Sequence, residues 1–244
     1  MSKILLLVEG EKTEKALLQQ FYKLYGESRI EIVSYKTNIY AFYNDLKTKY
    51  DSGQNGMITY DTIDLTLLLN DHLKLKGSKR YNKNDFEEKI LVFDFDPQDR
   101  DEGHEKILIE LMTNFSDSIG RGKLYLNYPM VESFKDFTSL EDENFIHSTF
   151  PLSMLPKNGY KQHIHQQTLR NKLNHIKKID KQTGRKLLEL HQQKLAFVTK
   201  QLSDSKEKYL YLCKRQCEKL KDEKLIWVIN TSILHLLDEY GPMP

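Results

Sequence analysis

Ile4-Leu5-Leu6-Leu7-Val8-Glu9-Gly10 and Ile90-Leu91-Val92-Phe93-Asp94-Phe95-Asp96 are the two stretches whose reading decides the fold. Each is an apolar run of strand length that ends abruptly in acid. An unbroken apolar run too short for a helix suits a strand covered on both faces, as in a parallel sheet with helices on either side. In such sheets ligands bind in the crevice outside the carboxyl ends of the strands. Acids delivered there by two strands are well placed to hold a divalent metal.

Outward from the first run, Ala16, Leu17, Leu18, Phe21 and Leu24 recur at helical spacing and Gly26 stops the helix. Residues 30–35 read as a second strand, and Asn38 caps a helix to about residue 50. Residues 51–56 form a loop by composition, 61–75 a leucine-rich helix, and 77–84 a polar, basic loop. After the second acidic run Pro97 breaks the chain, 103–115 is helical, and 123–127 is a short strand ahead of Pro129. Alternating strands and helices predict an α/β fold with a doubly wound, Rossmann-like parallel sheet.

The pattern then changes. Residues 162–220 carry no strand signal and a single glycine, Gly184. Leu169, Leu173, Ile176 and Ile179 mark one helical face, and Leu188, Leu195, Val198 and Leu202 another. Asp204-Ser205-Lys206-Glu207 fits a helix start of the capping-box type. Residues 225–229 read as a last strand, and Asn230-Thr231-Ser232 caps a final amphipathic helix ending at Gly241-Pro242. The expected organisation is a catalytic α/β core over 1–155, a basic α-helical insertion (hairpin or small bundle) over 156–224, and a strand and helix returning to the core over 225–244.

Charge follows the same division. Residues 1–155 hold 19 Lys and Arg against 26 Asp and Glu, net −7, whereas 156–224 hold 18 against 7, net +11. An acidic segment followed by a basic one suggests separate catalytic and polyanion-binding surfaces, although a solvated helical face gives the same composition. No apolar run approaches the roughly 20 residues of a membrane-spanning helix. The N-terminus lacks the small-residue cleavage site of a secretory signal. With only Cys213 and Cys217 there is no disulfide framework, and a reducing cytoplasm is expected.

Glu9, Asp94 and Asp96 are the expected metal-site acids, because hard Mg²⁺ or Mn²⁺ ions take oxygen ligands and share phosphate oxygens with a substrate. Period-two geometry would turn Asp94 and Asp96 to the same side of an extended strand. Asp99 and Asp101 are outer candidates. The bland alternative is that such acids solvate loops or cap helices.

Val8-Glu9-Gly10 followed by Phe93-Asp94-Phe95-Asp96 resembles the TOPRIM domain of topoisomerases, primases and related nucleases. Glu9-Gly10-Glu11-Lys12-Thr13-Glu14 is similar to the opening of the RloB-like and OLD-type nuclease branch. Asn127-Tyr128-Pro129-Met130-Val131-Glu132 is similar to the Asn-Pro-x-x-Glu segment of RloB-like proteins, with Tyr128 inserted. The resemblance covers about residues 3–137. It implies a TOPRIM-like core and metal-dependent cleavage of phosphodiester bonds in DNA or RNA, tRNA included. Glu9, Asp94 and Asp96 would be metal ligands or acid/base groups, Glu132 a further catalytic and metal-site acid, and Glu14 a contributor to a second metal, reaching back from the first helical turn. It further implies a role in bacterial anti-phage defence beside a separate ATPase. The rival is a non-catalytic TOPRIM-fold regulatory or scaffold subunit of such a complex. One departure is the missing glycine after Asp96, Gly103 being the next, which disfavours nucleotide polymerisation.

Other chemistries are less well supported. A zinc site from Cys213 and Cys217 with His163, His165, His175 or His191 lacks the tight-turn spacing of structural zinc. There is no Walker-type phosphate loop, and no room for a topoisomerase gate. Tyr209 and Tyr211 among lysines could stack bases, while the leucines of the same helices could equally pack against a second copy of the chain. Trp227 reads as a core residue.

Overall fold

The computed structural model describes residues 3–53, 57–97, 103–168, 172–200 and 205–244. Strand β1 (Lys3–Val8) is buried from Ile4 onward. Helix α1 (Thr13–Tyr25) ends at Gly26, whose φ of 80° places it in the left-handed region that glycine enters without a Cβ clash. Strand β2 (Ile30–Ser34) leads to α2 (Ile39–Tyr50), capped by the Asn38 side chain accepting the Ala41 N–H at 3.0 Å. Helix α3 (Leu65–His72) is shorter than its leucine pattern suggested. The Asp64 carboxylate accepts the Thr66 and Leu67 N–H groups, fixing the start there, and residues 60–62 form a separate 3-10 turn.

Strand β3 (Phe86–Asp94) is followed by α4 (His104–Asn114), a two-residue strand β4 (Ser116–Asp117) and β5 (Gly122–Asn127). The sheet order is β2-β1-β3-β5-β4. Four strands run parallel, and β4 pairs antiparallel at the edge. The expected α/β core with a mostly parallel sheet is therefore present. Val8 lies opposite Val92 and Asp94 opposite Asn127, a register that sets the carboxyl ends of β1, β3 and β5 level. Phe93 packs on Phe42 of α2, with ring centroids 5.2 Å apart, and Phe42 on Phe115, so the side chain after Phe93 points to the opposite face.

Beyond β6 (Thr149–Pro151) lie α5 (Gly159–Thr168), α6 (Lys181–Val198) and α7 (Ser205–Glu223). One helix does not run through the apolar residues 173–179. They form two 3-10 turns, Lys172–Asn174 and Ile176–Lys178. The Asp180 carboxylate accepts the Thr183 N–H at 2.8 Å and starts α6 afresh. Leu173, Ile176 and Ile179 recur every three residues, the period of a 3-10 turn, so Leu173 and Ile179 stay buried. Leu169, Leu202 and Asp204 lie outside the described residues. Leu187, Leu188 and Leu212 of the basic segment join the hydrophobic cluster that contains Leu6 and Val92. Strand β7 (Leu225–Trp227) pairs antiparallel with β6 and not with the five-stranded sheet. Ile229 then bridges Tyr128 just past β5. The Asn230 side chain caps the turn at Ile233, two residues before α8 (His235–Tyr240). Among the described residues, no helix is long and apolar enough to cross a membrane.

Candidate active site

Glu9 follows β1 and Asp94 ends β3. Glu9 N–H donates to the Val92 carbonyl at 3.1 Å, extending the ladder one residue past β1. The Glu9 carboxylate in turn accepts the Asp94 N–H at 3.1 Å. Asn127 at the end of β5 completes the row, its side-chain N–H₂ lying 3.5 Å from Asp94 Oδ1. Asn127 is fully buried, and its Oδ1 accepts the Ser232 N–H at 3.1 Å, tying the C-terminal segment to the site.

Glu14, in the first turn of α1, reaches back toward Gly10. A Cβ at Gly10 would lie 2.4 Å from Glu14 Oε2, so the missing side chain makes room for that carboxylate. Glu132 stands in the 3-10 turn Val131–Lys135. Its Oε2 is buried without a hydrogen-bond partner among the described residues. An orphaned carboxylate oxygen of this kind costs folding free energy unless a cation or proton meets it.

The acids act on one another. Burial pushes the Glu9 carboxyl up to about 7; the Asp94 N–H opposes the shift, and the charges of Glu14 and Asp96 add to it. Asp94 keeps part of its surface open. Its carboxyl is nevertheless enclosed enough that burial, followed by Glu9, Glu14 and Glu132, holds it well above the ordinary range. Glu14 is raised by burial and then by Glu132. Glu9, Glu14 and Asp94 are therefore each held above the ordinary range by burial first and by neighbouring carboxylates second.

Asp96 departs from the period-two expectation. Strand β3 ends at Asp94, and Asp96 has φ 33° in the left-handed region, so the chain is already turning. Its charge still reaches Glu9. Asp99 and Asp101 lie outside the described residues. Among the described residues, no three His, Cys, Asp or Glu side chains are placed to hold a metal ion in this conformation. The donor set itself is all oxygen, as a hard divalent cation requires.

Lys161 was not singled out by the sequence. Its positive charge lowers both Glu9 and Glu14, against the effect of the surrounding acids. Helix α5 is held at the site by the buried Asp136, which accepts the Tyr160 hydroxyl at 2.9 Å and lies 3.2 Å from His163 Nε2. That carboxylate raises the His163 pKa. In the sequence Lys161 is one of 18 basic residues in its segment, and nothing local marks it.

The remaining candidates separate. Cys213 and Cys217 are buried free thiols on α7. His191 accepts the Asn230 N–H at Nδ1 within the core, and His165 and His175 are exposed. Tyr209 is buried beside Tyr125, where no base can stack on it, whereas Tyr211 is half-buried. Trp227 is also half-buried, with the Lys219 ammonium 4.2 Å from its ring.

Comparison with protein-family models, curated proteins and solved structures finds no match. The functional reading therefore rests on the site itself.

Proposed function

We propose that the chain is a metal-dependent nuclease of TOPRIM-like architecture that hydrolyses phosphodiester bonds. The observation that supports this most is the gathering of Glu9, Glu14 and Asp94 beside the level ends of two parallel strands, each raised by burial and by a neighbouring carboxylate, with Glu132 among the charges that raise Glu14 and Asp94. A cluster of mutually repelling acids is stabilised by a divalent cation, and the orphaned Glu132 Oε2 offers it an unused oxygen. Glu9, Asp94, Glu132 and Glu14 would hold Mg²⁺ or Mn²⁺, with Asp96 beside Glu9. When bound, such ions supply charge stabilisation to the attacking and leaving oxygens of a phosphodiester. Lys161 adds positive charge on the side from which α5 covers the site. The substrate is DNA or RNA, held in part by the basic segment 156–224. The proposed setting is the bacterial cytoplasm, as an antiviral defence effector restrained by a partner ATPase.

A second reading has one observation in its favour. Because no three described side chains are placed to hold an ion as they stand, the chain could work by binding, as a regulatory or scaffold subunit. The deciding experiment incubates purified protein with Mn²⁺ and plasmid, single-stranded DNA, tRNA or total RNA. Cleavage that is lost in Asp94→Asn supports the nuclease. No cleavage of any substrate, alone or with the genomic neighbour, supports the subunit.

A further inference from the structure

On the face of the sheet that carries α2 and α4, a cavity of about 250 Å³ opens between the end of β3 and helix α7. Its position is set by the Asp-x-Asp turn. Phe95, the residue between the two acids, lines the cavity together with Pro97. Cys217 and Leu220 of α7 form the facing apolar wall. At one side Tyr40 and His104 stack with ring centroids 4.1 Å apart and planes 24° from parallel. At the mouth stand Lys221 and Lys224, both exposed. Lys224 Nζ donates to the Lys221 carbonyl at 2.9 Å. Among the described residues neither lysine has a carboxylate within ion-pair distance, whereas Arg215 and Lys219 on the same helix pair with Glu218 and Glu223.

We propose that this cavity takes one unpaired nucleotide of a nucleic-acid strand, with its base among the rings and its phosphates on Lys221 and Lys224. An apolar slot walled by stacked rings suits a planar heterocycle, which gains stacking energy without sequence demands. Two exposed lysines at the mouth, neither paired with a carboxylate among the described residues, suit the flanking phosphates. Glu105, exposed at the rim, can accept a hydrogen bond from an exocyclic base amine. A strand fits better than a free nucleotide because the lysines belong to a segment whose sequence carries a net charge of +11. This inference rests on the nuclease reading for its polyanion, and it deepens that reading by naming single-stranded nucleic acid as the form bound. Since Phe95 joins Asp94 to Asp96, filling the slot also steadies the turn that carries both acids.

The test is fluorescence anisotropy with a labelled single-stranded 10-mer, as DNA and as RNA, in EDTA so that binding is read without cleavage. Lys221→Glu combined with Lys224→Glu weakens binding by about tenfold or more. His104→Ala weakens it by about fivefold or more through lost stacking. Lys76→Glu with Lys79→Glu, the same charge change on exposed residues outside the basic segment, leaves affinity within about twofold. Equal losses in the two charge-reversed pairs, wild-type affinity in His104→Ala, or no binding by the wild type each overturn the proposal. Competition by free mononucleotides at the same molar concentration as the 10-mer also overturns it, in favour of an effector site. Binding that survives while every substrate stays uncleaved sinks only the nuclease reading; cleavage without dependence on His104, Lys221 or Lys224 sinks only the pocket.

Discussion

The Glu9 carboxylate accepts the backbone N–H of Asp94 at 3.1 Å, joining residues 85 positions apart at the ends of neighbouring strands. That contact follows from parallel pairing with Val8 opposite Val92. It fixes the Glu9 side chain against the strand that carries Asp94, so any ion or water serving one acid is within the field of the other.

Glu9→Gln keeps an oxygen able to accept the Asp94 N–H but removes the charge. Metal-dependent cleavage should fall by about a hundredfold or more, while the circular dichroism spectrum stays unchanged. Asp94→Asn should behave alike. Full cleavage by both variants would remove these residues from the site.

The carboxyls also give the fold a pH dependence. A carboxyl raised in the folded state binds its proton more tightly there than in the unfolded chain. Its contribution is therefore complete below the ordinary carboxylate pKa of 4.5 and is lost as pH rises through about 7. For Glu9 alone this is worth up to about 3 kcal/mol. In metal-free buffer the melting temperature of Glu9→Gln should gain on the wild type between pH 5 and pH 8. Adding Mn²⁺ at pH 8 should raise the wild type and narrow that gap. A gap independent of both pH and Mn²⁺ would show that the acids do not share one pocket.

Two core histidines act in the opposite direction. His235 accepts the Tyr22 hydroxyl at Nε2, 2.9 Å away, while its Nδ1–H donates to the Ser232 carbonyl, a bonding pattern of the neutral ring. Burial lowers His235 to about 4 and His191 to about 3. Groups lowered in this way stabilise the fold above their ordinary value of 6.5, and that stability is lost as pH falls through the folded values. The full loss is about 3 kcal/mol for His235 and about 5 kcal/mol for His191, reached once pH is below the folded value. Chemical denaturation between pH 6.5 and 4 should show the loss, and His235→Gln should flatten it at the expense of stability at pH 7.

Gly10→Ala places a methyl group where the Glu14 carboxylate rests, 2.4 Å from Oε2. The obstacle is the far end of a flexible side chain, so Glu14 swings aside and the melting temperature changes by only a few degrees, about 1 kcal/mol. Cleavage should nevertheless drop by about tenfold or more as one acid leaves the cluster. Unimpaired cleavage in the folded variant would exclude Glu14.

Asn127→Ala removes the acceptor of the Ser232 N–H from a fully buried position. Leaving that donor unsatisfied should cost about 1–3 kcal/mol in urea denaturation. Hydrogen exchange should rise first at 230–234, the segment this side chain anchors. A rise spread evenly over the chain would contradict that role.

Much of the architecture is legible in local sequence. Unbroken apolar runs at 4–8 and 90–93 mark strands covered on both faces, and Gly26 and Asn38 mark helix ends, because burial and capping are short-range demands that residue type expresses directly. Glu9 and Asp94 were recognisable as strand-end acids for the same reason. The chain by itself could not show that Asp96 turns out of the strand, that residues 173–179 coil as 3-10 turns, or that β7 joins β6. Those outcomes depend on which backbone groups find partners across long separations. Lys161 is the clearest instance. Its identity is one lysine among many, and only the docking of Tyr160 and His163 on Asp136 carries it to the acids. Residue type determined the strands and the acids at their ends; register and helix docking, which are properties of the packed chain, decided that those acids meet.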